Sequence, residues 1–274
     1  MTKRVKRYVV DIIIVVGTLG IAVFLWEQLH AVHISERAEN IQITAHRGDS
    51  GHAPENTLPA IESAIAKRAD YVEIDIRRTA DDRLVLMHDS SAMRTAGIER
   101  CIEECSFAEV DLLDVGSWYG TKYAGTTVPT LEDVLKLSKG RIGVNIEIKS
   151  VEGDDRIAGK VVEELRRCEM EAECTVTSSN YEILKAVEKE NSMIRTGIIL
   201  SDADNWRDYD AVDFYSVSLQ ALNRTIVKEM KAVGKEIHVW TANEANEIRM
   251  AMEYQLDNII TDMPEETRDF IKNL

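Results

Sequence analysis

A chain of 274 residues that is 45% hydrophobic and 30% charged can bury one sizeable core and is not a disordered polymer. Four prolines and 14 glycines exclude a linker-rich or collagen-like chain, and four cysteines do not make a disulfide scaffold. A net charge of -15 repels nucleic-acid phosphates and excludes a broad basic groove for them.

The charge is unevenly placed. Lys3, Arg4, Lys6 and Arg7 open the chain, and Asp11 and Glu27 are the only charged residues from Tyr8 to His30. As a helix rising about 1.5 Å per residue, Tyr8–Trp26 would be about 28 Å long, close to the thickness of a bilayer core. The sequence thus predicts a basic cytoplasmic N-terminus over 1–7 and a transmembrane anchor over 8–29. A polar stalk over 30–40 and a folded domain over 41–274 follow. Basic residues before the span keep the N-terminus inside, so the domain is expected on the extracytoplasmic side of the cell membrane. A cleaved signal peptide is the competing reading. Glu27, Gln28, Leu29 and His30 suit cleavage poorly.

From Ile41 onward, strand and helix patterns alternate. Ile41–His46 is a short apolar run. Leu58, Ile61, Ala64 and Ile65 recur at helical spacing behind an N-cap at Asn56 or Thr57. Tyr71–Ile76 alternates, with Val72, Ile74 and Ile76 on one side and Glu73 and Asp75 on the other. A two-Asp turn and Leu84–Met87 complete a hairpin, since no crossover helix fits between these strands. Residues 89–140 read as an insertion or lid holding one clear helix, Leu131–Ser138, opened by Thr130 and Asp133. Strands follow at Gly143–Ile148, Cys174–Thr177, Thr196–Leu200, Phe214–Val217, Glu236–Trp240 and Asn258–Thr261. Helices are predicted around 155–168, 180–189 (capped by Ser179 and Glu182), 224–232 and 244–253. Without the hairpin's return strand, eight strands remain. That number predicts a closed (β/α)8 TIM-type barrel with an insertion after the hairpin. No G-x-G-x-x-G follows the first strand, which counts against an open dinucleotide-binding sheet.

Active residues of such barrels gather at the C-terminal strand ends. Those ends carry His46 and Arg47, Glu73 and Asp75, His88 and Asp89, Glu147 and Lys149, and Trp240. Glu73 and Asp75 are two apart on one strand and point the same way, and Glu147 and Lys149 repeat that spacing. Three carboxylates in one pocket are costly without a cation, and hard oxygen donors suit Ca²⁺ or Mg²⁺ better than Zn²⁺. Arg47 and Lys149 then read as anion binders and the two histidines as an acid and a base, the equipment for a phosphate ester. Each residue alone has an ordinary structural reading; their occurrence together at separate strand ends gives the pattern its weight.

The segments HRGDSGHAPENTLPAIESAI, YVEIDIRRTADDRLVLMHD, VPTLEDVL, NIEIKS, IHVWTAN and LDNIITDMP occur in that order. As a set they resemble the glycerophosphodiester phosphodiesterase family over about 41–268, nearly all of the chain beyond the anchor. That family is related in barrel design to phosphatidylinositol phospholipases C. The resemblance implies that His46 and His88 are the acid/base pair. It implies that Glu73, Asp75 and Glu147 hold one divalent cation, that Arg47 and Lys149 hold phosphate, and that Trp240 lines the substrate pocket. Glu55 is a candidate supporting carboxylate. The implied reaction is hydrolysis of a small glycerophosphodiester or lipid-derived substrate to glycerol phosphate and an alcohol, through attack by the glycerol 2-hydroxyl and a cyclic phosphate. The alternatives are a phospholipase-type enzyme acting on lysolipids or a teichoic-acid-like polymer, and an inactive membrane-tethered binding module. Two departures stand out. Asp81-Asp82 replaces the family's Asp-Gly turn, and Gln255-Leu256-Asp257-Asn258 replaces G-V-D-G before the last strand, where a differently shaped barrel end is expected. Cys101 and Cys105, and Cys168 and Cys174, are close enough in sequence for two local disulfides. Such short loops gain little from closure, so four free thiols are the other expectation.

Overall fold

The computed structural model describes residues 40–149 and 156–274, with Thr18, Ile21 and Phe24. The predicted N-terminus, anchor and stalk otherwise lie outside the described residues. Among the described residues no helix is long and apolar enough to cross a membrane.

Period-two alternation builds the sheet. On strand β2 (Tyr71–Arg78), Val72, Ile74 and Ile76 are fully buried against the helical layer, while Glu73 and Asp75 take the opposite face. Strand β4 (Gly143–Ile148) repeats this with Val144, Ile146 and Ile148. Eight parallel strands close into a barrel: β1 (Gln42–Ala45) pairs with β2 on one side and β9 (Asn258–Thr261) on the other. The rest of the ring is β5 (Cys174–Ser178), β6 (Arg195–Leu200), β7 (Phe214–Ser218) and β8 (Glu236–Trp240). One core cluster, rich in Ile, Val and Leu, fills the space between this ring and its helices.

The remaining strand, β3 (Leu84–Leu86), lies outside the ring and is antiparallel to β2. Strand β2 outruns β1: Tyr71 and Val72 pair with β1, whereas Ile76, Arg77 and Arg78 pair with β3. The hairpin therefore rises over the mouth, and Met87 N–H donates to the Asp75 carbonyl at 3.0 Å. Asp82 makes the turn with φ +68°, the left-handed geometry that the missing glycine would have taken.

Helix starts follow local capping. Thr57, rather than Asn56, caps Leu58–Ala66, and Thr130 with Asp133 forms a capping box on Leu131–Ser138 as the spacing predicts. The expected box at Ser179 and Glu182 does not form. Asn180 caps Tyr181–Glu190 instead, its carboxamide oxygen accepting from Glu182 N–H at 3.0 Å. The other helices are Ile157–Cys168, Arg224–Ala232, Ala245–Glu253 and Pro264–Lys272.

The insertion differs from the single-helix segment predicted. Leu131–Ser138 belongs to the barrel, with Leu131, Val134 and Leu135 in the main core. Before it lie two one-turn α-helices, Met93–Ala96 and Phe107–Val110, and two 3-10 turns, Ile102–Glu104 and Thr121–Tyr123. Ala92, Ile102, Cys105, Val110, Leu113, Val115 and Val128 pack with Val85 and Met87 into a second, separate core. The segment is a small folded body seated on the hairpin.

The structure also bears on two further expectations. Gln255 takes the left-handed φ of +55°, and Asn258 accepts from the Thr44 hydroxyl at 2.9 Å. Both lie at the entrance of β9, the end opposite the mouth, so this departure from the family pattern shapes the barrel floor. All four cysteines are free; Cys105 Sγ–H donates to the Cys101 carbonyl at 3.2 Å and Cys101 Sγ–H to Glu103 at 3.0 Å.

Candidate active site

Register assembles the carboxylates. Strands β2 and β4 pair Glu73 with Asn145 and Asp75 with Glu147, so alternation brings Glu73, Asp75 and Glu147 to one patch of the inner wall. Their nearest oxygens lie within 4.8 Å of one another, and Glu73 and Asp75 are 4% and 1% exposed.

Two cations lean on this patch. Lys149 follows β4 and reaches Asp75 Oδ1 at 2.9 Å and the Glu147 carboxylate. Arg47 follows β1, with Nε 3.4 Å from Asp75 Oδ2 and Nη1 donating to Glu55 Oε1 at 2.8 Å. Its own N–H donates to Glu73 Oε2 at 2.9 Å, and its φ is +56°. Such a value costs energy in a non-glycine residue and is tolerated where the surroundings fix it. The next residue, Gly48, has φ +86°, and a Cβ there would lie 2.6 Å from the Ala60 side chain. That clash disfavours any other residue at this position. Asn56, also at positive φ, donates to Asp75 Oδ2 at 2.7 Å and accepts from Asp75 N–H at 3.0 Å.

These charges do not balance. Burial, then the charge of Asp75, lifts the Glu73 carboxyl above the usual carboxylate range. Glu147 is raised for the same two reasons. Burial would raise Asp75 too, but Lys149 and Arg47 hold it below its ordinary value. Glu73 Oε1 is buried without a hydrogen-bond partner among the described residues. An orphaned carboxylate oxygen, in a cluster with three negative and two positive groups, fits a hard divalent cation. Glu73, Asp75 and Glu147 are the residues that could hold one.

Each histidine has one ring nitrogen fixed by a carboxylate. His46 Nδ1 lies 2.7 Å from Asp262 Oδ1, and His88 Nδ1 lies 2.7 Å from Asp89 Oδ1. Both rings line the same pocket, and with Nδ1 engaged, Nε2 is the ring nitrogen of each that could exchange a proton there. Burial opposes a charge on His46, yet the Asp262 hydrogen bond and the Glu73 charge outweigh it and raise the imidazole. Asp262 is held low, burial being outweighed by His46, Asn243 and Ser50.

The pocket holds about 130 Å³ and is divided by character. His46, Arg47, Glu73, His88, Glu147 and Lys149 form the charged half, and Thr177, Ile199, Ser216, Trp240 and Ile260 the neutral half. Trp240 is held by its indole N–H donating to the Ser216 carbonyl at 3.1 Å. An anion facing the first half and an alcohol facing the second would both be matched.

The structure thus gathers every predicted site residue at one mouth, with Glu55 one contact back, behind Arg47. Asp262 and Arg94 had no assigned role in the sequence. A polar residue immediately after the last strand was the one signal available for Asp262.

A profile of the glycerophosphoryl diester phosphodiesterase family matches residues 46–266. The chain belongs to this family. That makes it an enzyme of the phosphoric diester hydrolase class. A glycerophosphodiester phosphodiesterase of Caldanaerobacter subterraneus is 31% identical over 229 residues, covering 81% of this chain and 94% of its own. Human lysophospholipase D is 24% identical over 271 residues, covering 84% and 85%. An Oleispira antarctica phosphodiesterase, solved with the product sn-glycerol-3-phosphate, superposes with a TM-score of 0.79. It is 27% identical and covers 84% of this chain and 96% of its own.

The lifted Glu73 carboxyl sets an expectation for the family member in hand. An acid whose folded pKa exceeds its unfolded value weakens the fold once pH passes that unfolded value, near 4.5, and increasingly so up to the folded one. In EDTA, Glu73→Gln should therefore melt at a higher temperature than wild type in mildly alkaline buffer, with the gap closing as pH falls toward 4.5. Excess Ca²⁺ or Mg²⁺ should raise the wild-type melting temperature and leave the variant unmoved. Melting curves that ignore both the cation and the substitution would remove the ion from this site.

Proposed function

We propose that this enzyme hydrolyses small glycerophosphodiesters to glycerol phosphate and an alcohol, with His46 and His88 as the acid/base pair. The observation that carries the reading is the pocket itself. Two histidines, each with Nδ1 on a carboxylate, face a carboxylate triad that still has an orphaned oxygen. Glu73, Asp75 and Glu147 would hold one Ca²⁺ or Mg²⁺, which when bound supplies Lewis-acid stabilisation of the phosphoryl oxygens. Arg47 and Lys149 grip the same oxygens by charge-assisted hydrogen bonds. Trp240, Ser216 and Thr177 orient the glycerol in the neutral half of the pocket. One histidine takes the proton of the glycerol 2-hydroxyl as it attacks phosphorus and the other protonates the departing alcohol. The roles then reverse as water opens the cyclic phosphate.

The pocket volume suits a glycerol phosphate, with the alcohol portion leaving by the mouth. Kinship with human lysophospholipase D favours a second reading, cleavage of lysolipids. Parallel assays on glycerophosphocholine, glycerophosphoethanolamine and lysophosphatidylcholine separate the two. An inactive module is disfavoured because all three carboxylates and both histidines stand together.

Activity should vanish in excess EDTA and return with Ca²⁺ or Mg²⁺; full turnover in EDTA would remove the cation from the reaction. A diester built on 2-deoxyglycerol should bind yet fail to turn over. It keeps the phosphate and loses only the internal nucleophile, whose proximity is worth about 7–11 kcal/mol in ideal cases. Comparable rates for the two substrates would instead indicate direct attack by water.

We further propose that the chain is a single-pass protein of the cell membrane, with residues 1–7 cytoplasmic, 8–29 spanning, 30–40 a stalk, and the 41–274 domain extracytoplasmic. The basic start and the uncharged run Ile12–Trp26 support this reading. Protease added to intact cells should remove the domain. Full protection, with cleavage after lysis, would reverse the orientation.

A further inference from the structure

Arg94 carries more carboxylate contacts than its exposed position warrants. It sits on the one-turn helix Met93–Ala96 of the insertion, which Gly97 ends at φ +71°. Thr95 faces inward, its hydroxyl donating to Met87 Sδ at 3.6 Å, so Arg94 projects outward over the rim. Its Nη1 and Nη2 donate to Glu55 Oε2 and Oε1 at 2.6 and 2.8 Å, and Nε donates to Asp89 Oδ2 at 2.7 Å. Each carboxylate has a second duty. Glu55 Oε1 also takes Arg47 Nη1 at 2.8 Å, and Asp89 Oδ1 holds His88 Nδ1 at 2.7 Å. Charges therefore alternate along the rim from Arg47 through Glu55 and Arg94 to Asp89, which holds the His88 ring.

We propose that Arg94 is a positioning residue that fixes the phosphate-gripping Arg47 and the proton-transferring His88 as one unit. The inference rests on the roles given above to Arg47 and His88. Three points carry it. The guanidinium is spent on the two carboxylates and does not line the pocket, as fits a residue that acts through others rather than on substrate. Glu55 is only 12% exposed, so water cannot replace Arg94 there as it would at an ordinary surface ion pair. A planar fork alone holds one carboxylate with two nitrogens and a second with the third, which a lysine ammonium cannot copy. His88 stands on the hairpin end, outside the closed ring, and Arg94 is a side-chain link from its partner Asp89 back to the β1 loop.

The test is a set of kinetic cycles with Arg94→Gln. Alone, it should lower kcat by roughly 100-fold, the scale of a misplaced reacting group, and raise KM, with circular dichroism and melting temperature near wild type. Within His88→Ala the kcat loss from Arg94→Gln should disappear while the KM rise remains, because only the Arg47 branch is left. Within His46→Ala the full kcat loss should persist. If Arg94→Gln does not fold, Arg94→Lys keeps the cation and serves in the same cycles. Wild-type kcat and KM in the folded variant, or a kcat loss that multiplies in His88→Ala, would overturn the role of Arg94. A His88→Ala enzyme with near-normal turnover would overturn the acid/base reading first, and the linkage with it.

Discussion

Mutual repulsion among Glu73, Asp75 and Glu147 governs this structure. Parallel pairing of β2 and β4 forces the three carboxylates together in a buried wall, where like charges cannot be left alone. Their neighbours answer that constraint. Arg47 accepts a strained backbone so that its N–H and side chain can both face the cluster. Lys149 bridges two of the acids, and Asn56 takes an unusual conformation to bond Asp75 from both directions. The strength of the compensation shows in Asp75, whose carboxyl is held below its ordinary value, while the incompleteness shows in Glu73, whose carboxyl is pushed above it.

The hairpin solves a second geometric problem. Strand ends of a closed ring all lie at a similar height and look toward one axis, which suits a cation or phosphate better than a pair of groups on either side of a scissile bond. Because β2 outruns β1, β3 can pair above it and bring His88 to the pocket that His46 also lines. The insertion's separate core then stiffens what would otherwise be a two-stranded ribbon, a marginal element by itself.

What could be read from residues alone follows the range of the forces involved. Alternation in Tyr71–Ile76 and the Thr130–Asp133 box are local, and both appear in the structure with little change. So does the triad, because side-chain period and parallel register together dictate it. The insertion's internal structure is not legible because one-turn helices show no periodicity, and the cap of the helix at Tyr181 is not because Asn180 and Ser179 are both competent caps. Asp262 and Arg94 lay beyond reach for another reason. They meet His46 and Glu55 across 216 and 39 residues of chain, and no local pattern marks such meetings.

The two separate cores have a consequence for how the molecule can fluctuate. Ring and triad belong to one packing unit, whereas Val85, Met87 and the insertion belong to another. Openings confined to the smaller unit would carry His88 and Asp89 away while the barrel stays intact, since stability is distributed by cooperative unit. Under the roles proposed for the triad and for His88, affinity for an ion and competence for turnover would then rest on different parts of the free-energy landscape. Warming or mild denaturant should silence such a molecule while its β-ring is still protected from hydrogen exchange.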